Sequence, residues 1–320
     1  MARISNAFRT HDARGNREDL SDAIYNIDPF DTPFVSMIGR RNVTNVNFDW
    51  QTENLKDVDR DNAAEEGFEV ERVTSQPTVR QSNTVQISTK NATVTGSQEA
   101  ANAAGKRSEM AHQMAMRGKE LRRDIEAIAL SNQQRVTGED GVSVRRTRAL
   151  EAWLATNAFR ADDGSSSTGQ GSAATDGTQR ELTEEMVQEA MQSCFRNGAA
   201  PTTLMVGPYN KGVVSTFIGR ETTRQNVDKE RVQATVTLYA SDFGDLTVVP
   251  NRWQRDRTAF LLDRGYARIG YYRNFMTKPI AKIGDAETKM MLAEWGLQID
   301  NEAAHGVIAD LVDSSAGVIA

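Results

Sequence analysis

Three histidines, one cysteine and a handful of short acidic or glycine-bearing runs are the residues in this 320-residue chain whose types could carry chemistry. His11, His112 and His305 are far apart and form no H-x-x-x-H pair, so the helical zinc pattern is absent. Asp57-x-Asp59-x-Asp61 begins like a calcium loop, but Asn62 stands where the turn needs glycine and Phe68 where a bidentate glutamate belongs. That run is no EF-hand; weak cation binding by clustered acids is all it offers. Asp242-Phe243-Gly244 spells a kinase magnesium triplet with no glycine-rich loop, H-R-D or lysine strand before it, and reads as a turn. Gly169-Gln170-Gly171 sits in low-complexity sequence with no strand ahead of it, and neither a P-loop nor G-x-S-x-G occurs. Glu294 and Asp300 have the types of a general acid and base, yet ion pairing or solvation explains them more simply. The basic residues lack the interleaved aromatics that stack bases. The expectation is a chain with no catalytic residue, metal or cofactor: a structural protein, not an enzyme.

Composition points the same way. Hydrophobic residues make up 38%, and mean hydropathy is -0.55. That polarity fits an extended protomer completed by its neighbours. The net charge of -6 argues against a dedicated DNA binder, whose affinity rests on neutralising phosphates, but permits a wall that faces nucleic acid without gripping it. A lone cysteine, Cys194, excludes an intrachain disulfide framework and suits a reducing compartment; its apolar helical surroundings make it a buried small residue. Residues 1–20 show no apolar signal region, and no run approaches the length of a membrane span.

The elements that would position any functional residue follow from patterning. Residues 1–20 read as an arm, with residues 1–17 at net +3. Ile27-Asp28-Pro29-Phe30-Asp31-Thr32-Pro33-Phe34 holds two prolines in five residues, which predicts extended chain with phenylalanines needing burial. Val46, Phe48 and Trp50 alternate with polar residues as in a half-buried strand, and a second strand is expected over 79–95 with Val85 and Ile87 on one side. Between them residues 53–72 hold eight acids against three bases, a net of -5, so the pair reads as a projecting hairpin that must lie on a partner to be ordered. A helix is expected over 97–134, with Met110, Met114, Leu121, Ile125 and Ile128 inward, Gly118 in one slot, and Arg122, Arg123 and Glu126 among the outward charges. A short helix follows over 147–157, then a flexible Gly/Ser/Thr loop over 160–179, then a helix over 183–197 capped by Thr183. Short strands and helices alternate to residue 262, and a last strand covers 289–300, which makes the class α+β.

Four stretches taken together resemble the major capsid proteins of tailed bacteriophages with the HK97-type fold. They are the "D-T-P-F" run ending at Phe34; Phe48-Asp49-Trp50-Gln51-Thr52-Glu53-Asn54-Leu55; Val94-Thr95-Gly96-Ser97-Gln98 with Glu120-Leu121-Arg122-Arg123-Asp124-Ile125-Glu126; and Asp242-Phe243-Gly244 through Val249-Pro250-Asn251-Arg252. The resemblance covers nearly all of residues 20–312. It implies an N-terminal arm over 1–45 and an extended loop over 46–95. It further implies a peripheral domain with a spine helix over 96–144 and 276–312, an axial domain over 145–275 and a tail over 313–320.

What it implies about function is a self-assembling shell protein, building hexamers and pentamers of an icosahedral virion around double-stranded DNA, assembled in the bacterial cytoplasm. Portal and decoration proteins are expected partners, and no membrane. Some relatives begin with a helical scaffolding segment; here "D-T-P-F" starts within 35 residues of Met1, so a separate scaffolding protein is the expected substitute. Asp57, Asp59, Asp61, Glu65 and Glu66, with Pro29, Phe30, Pro33 and Phe34, are the expected assembly contacts. An encapsulin-like compartment, a hydrolase without a recognisable motif and a nucleic-acid-binding module stay open as rivals, separable by cargo, turnover and salt-dependent DNA affinity.

Overall fold

The computed structural model describes residues 31–53, 55, 58–67, 69, 77–101, 106–168, 172–217, 238–241 and 243–313. Two sheets organise them. In the first, β1 (Gly39–Asn42), β10 (Ala267–Ile280), β11 (Ala286–Ile299) and β4 (Gln86–Thr95) lie side by side in that order. The long strands β10 and β11 are antiparallel, with register shifts around Arg273. From Leu292 to Ile299 every residue of β11 is buried, as in a strand covered on both faces. One cover is α3 (Glu109–Ala129), which packs Met110, Met114, Leu121, Ile125 and Ala129 toward the sheet. Gly118 leaves room there: a Cβ on it would lie 3.4 Å from the Met291 sulfur.

In the second sheet the order is β5 (Ala158–Phe159), β12 (Gly306–Ile308), β9 (Ala259–Leu262), β6 (Thr203–Val206), β8 (Gly244–Pro250) and β7 (Leu238–Ser241). All four residues of β6 are buried between an antiparallel and a parallel neighbour. The helix α5 (Glu184–Arg196) starts where expected, with Thr183 Oγ1 accepting from Met186 N at 3.4 Å, and buries Val187, Ala190, Met191 and Cys194. Two shorter helices, α4 (Leu150–Trp153) and α6 (Pro208–Val214), complete this half. One core joins the halves through Phe34, Leu121, Met205, Phe260 and Trp295. The β7–β8 connection is a turn, with Gly244 at φ 137°; Asp242 lies outside the described residues.

Several expectations are corrected. The single helix over 97–134 is two, α2 (Gly96–Ala100) and α3, so the spine keeps only the 21 residues of α3 and spans about 31 Å. A new N-terminus is built at Ser108, whose Oγ accepts from Ala111 N at 3.2 Å, while the Glu99 carboxylate takes Met110 N at 3.0 Å. The strand over 79–95 breaks at Val85 into β3 (Val79–Thr84), paired with β2 (Asn47–Thr52), and β4, paired with β11. Val85 is buried but Ile87 is exposed, so they do not share a face. Pro33 does not keep its segment extended; it opens the short helix α1 (Pro33–Met37), a position where a missing N–H costs nothing. The loop over 160–179, described apart from 169–171, is fastened from a distance: buried Asp310 accepts from Ala161 N at 3.1 Å and Gly177 N at 2.7 Å.

Candidate assembly interface

The hairpin β2–β3 is held at its root by close fits that only certain side chains allow. Phe48 is buried and stacks on Trp50 at 5.8 Å between ring centroids, and Trp50 meets Trp153 at 5.3 Å. The Phe48 ring lies on the backbone of Gly296, where an added Cβ would sit 2.7 Å from a ring carbon. Gly270 gives the same access to Val43, at 2.6 Å.

Polar groups finish the attachment. The fully buried Asn83 donates from Nδ2 to Leu297 O at 2.6 Å and to Thr147 Oγ1 at 3.1 Å. Its Oδ1 accepts from Arg148 N at 2.9 Å and Thr84 N at 2.8 Å, so this amide is satisfied on both ends. Arg135 donates to Thr84 Oγ1 at 2.9 Å and to the Ser82 hydroxyl. Arg148 lies 4.0 Å from the Trp153 ring centroid, and burial brings its pKa down to about 10.

Beyond this root the chain turns outward. Asp59, Asp61, Glu65 and Glu66 are all exposed, and Leu55 and Val58 are 97% and 86% exposed. Among the described residues none of these acids has an ion-pair partner. Asp57 lies outside the described residues, as do Pro29 and Phe30. Pro33 is half-buried, and Phe34 is wholly buried in the chain's own core.

Phe34 owes its place to Glu126. That carboxylate is buried, not outward as the helical spacing predicts. It accepts from Phe34 N at 2.7 Å, Val35 N at 2.8 Å and Asn251 Nδ2 at 2.7 Å. Burial raises the Glu126 pKa against the pull of those three donors. Nearby, Trp253 Nε1 donates to Asp31 O at 2.7 Å and Arg123 sits 5.1 Å from the Trp253 ring centroid. The stretch around "D-T-P-F" is thus pinned to the spine helix. Nothing in the local sequence marks Glu126, because its partners lie 92 and 125 residues away.

The remaining groups with reactive types are structural in place. Glu294 is gripped by Arg145 at 2.8 Å and Arg273 at 2.6 Å, and Asp300 pairs with Arg268 at 3.2 Å. Lys90 is ion-paired with Asp124 at 2.8 Å, and the Asn301 side chain caps Ala303 N at 3.1 Å. Cys194 is buried, its thiol pushed up to about 12 by burial. Among the described residues no group of three or more His, Cys, Asp or Glu is placed to hold a metal ion, and no helix is long and apolar enough to cross a membrane.

A family model described as SU10 major capsid protein matches residues 4–312. A major capsid protein of Escherichia phage Phieco32 is 38% identical over 128 residues, which cover 40% of this chain and 36% of that relative's own length. Among solved structures, a cyanophage A-1(L) capsid asymmetric unit superposes with a TM-score of 0.65 at 12% identity, covering 95% of this chain and 98% of the other. A Gordonia phage Cozz chain gives 0.59 at 14% identity, with 98% of each chain covered. These last two carry the fold: α+β, of the HK97 type.

Proposed function

The chain belongs to the SU10 major capsid protein family, and from that premise we propose that its copies build the icosahedral shell of a tailed phage, as hexamers and pentamers enclosing double-stranded DNA. The carrying observation is the acidic insert: exposed, free of ion pairs among the described residues, and mounted on a root locked to the β10–β11 sheet. Such an arm has no core of its own and acquires one only against another protomer. In this layout residues 1–45 form an arm, 46–95 the extended loop, 96–144 and 276–312 the peripheral domain with α3 as its spine, 145–275 the axial domain and 313–320 a tail.

A separate scaffolding protein, a portal and a decoration protein complete the proposed set of partners, with assembly in the bacterial cytoplasm and no catalytic step. Charges on the loop stay partly wet, so they set register more than they supply affinity. Affinity comes from many weak contacts repeated around a closed object. The test is negative-stain microscopy with sedimentation of the purified chain, expressed with and without a candidate scaffold. Shells, tubes or hexameric rings are expected, and DNA rather than protein cargo in filled particles. A compact monomer under every condition overturns the reading.

A further inference from the structure

A cavity of about 490 Å³ opens between α1, β1, α3 and β10. Three cations stand on its wall: Arg40 and Arg41 from β1 and Arg122 from α3. Its other sides include Tyr271, Asn274 and Phe275. Arg122 lies 5.8 Å from the Phe275 ring centroid, and Arg41 donates to the Gln298 side chain. Arg40 and Arg122 both act on the buried Tyr271 hydroxyl, whose pKa burial raises and the two cations pull back. Among the described residues none of the three arginines is ion-paired with a carboxylate. Cations gathered round a partly enclosed space repel one another until an anion enters.

The chain carries the complementary charge elsewhere. Residues 53–72 have a net of -5, and the described acids of that stretch are exposed and without ion-pair partners within the chain. The arm that precedes this wall is divided, at +3 over residues 1–17 and -4 over residues 18–30, so its net of -1 is far smaller than the insert's -5. A DNA duplex is too broad to enter a cavity of this volume and is served by an open basic stripe instead. We infer that the Arg40–Arg41–Arg122 groove receives the acidic insert of a second copy of this chain. The inference rests on the shell reading and names the two surfaces that meet in it. The connection from β2 to β3 runs over residues 53–78, about 13 residues on each side of its midpoint, and allows an outward reach of about 40 Å, enough to cross onto a neighbour.

The experiment is a charge swap read by sedimentation and negative-stain microscopy. Arg40→Glu with Arg122→Glu is expected to abolish shells while circular dichroism and melting stay as in wild type. Adding Asp59→Lys, Asp61→Lys, Glu65→Lys and Glu66→Lys to that variant is expected to restore them. Should the groove variant misfold, a milder pair decides: Arg40→Cys with Glu65→Cys. Cys194 is buried, so a ladder of disulfide-linked oligomers on a non-reducing gel reports contact between the introduced thiols. Normal empty shells from the groove variant, no rescue by the swap, or no ladder overturns the inference and leaves the shell reading intact. A wild-type chain that never assembles removes the shell reading and this inference with it.

Discussion

At the scale of single residues, the fold rests on polar side chains placed where water cannot reach them. His305 is fully buried, its Nδ1 accepting from Asp263 N at 3.3 Å, and burial lowers its pKa to about 4 from an ordinary 6.5. Between those values the unfolded chain binds the proton and the folded one does not. The contribution of neutral His305 is therefore present above about pH 6.5 and lost progressively as the pH falls toward 4, about 3 kcal/mol in all. Urea unfolding at pH 7 and pH 4.5 checks this: the loss of stability on acidification should be smaller in His305→Gln by about that amount, and equal losses in the two proteins would refute it. His305 and Glu126 also mark what sequence patterning cannot see. Both are titratable residues that composition and helical spacing assign to solvent or to chemistry, and both are buried by partners distant in sequence.

At the scale of elements, legibility follows the range of the forces involved. The alternation in β2 and the capped amphipathic pattern of α5 depend on neighbours within a few residues, and both stand where the sequence places them. The break at Val85 and the new helix start at Ser108 depend on tertiary partners. Asn83 ties β3 to Leu297, 214 residues away, and that tie turns the chain from one sheet to another. The acidic character of the insert was legible; the groove of Arg40, Arg41 and Arg122 was not, because it exists only once β1, α3 and β10 are brought together. The root of the hairpin carries a sharp prediction. Gly296→Ala places a methyl 2.7 Å from the Phe48 ring and 3.3 Å from Thr84 O. Phe48 must leave its rotamer or the strand must shift, at a cost of about 1–3 kcal/mol. A melting temperature lowered by several degrees, with shell yield falling further than stability, is the expected outcome. An unchanged melt would show that the root is slack and that the arm is positioned by other means.

At the scale of the whole molecule, the exposed apolar residues among those described are scattered over separate segments. Leu55 and Val58 lie in the insert; Val142 and Val144, 76% and 78% exposed, lie in the connection after α3; and Ile283, 91% exposed, lies in the β10–β11 turn. None of these is a patch large enough to sustain an obligate dimer alone. Association must then be distributed, each contact weak and the closed object held by their number. In the proposed contact, charge enters mainly at the encounter, when the acidic arm meets the basic groove across water. Raising salt from 0.1 M to 1 M shortens the screening length from about 10 Å to about 3 Å. Light scattering should accordingly show the rate of shell formation falling by about tenfold or more over that range. Shells formed at low salt and then moved to 1 M should persist, since their apolar contacts and closure are not screened. Assembly equally fast at both salts would mean that apolar contacts alone guide the arm, and dissolution of finished shells at 1 M would mean that charge holds them together as well.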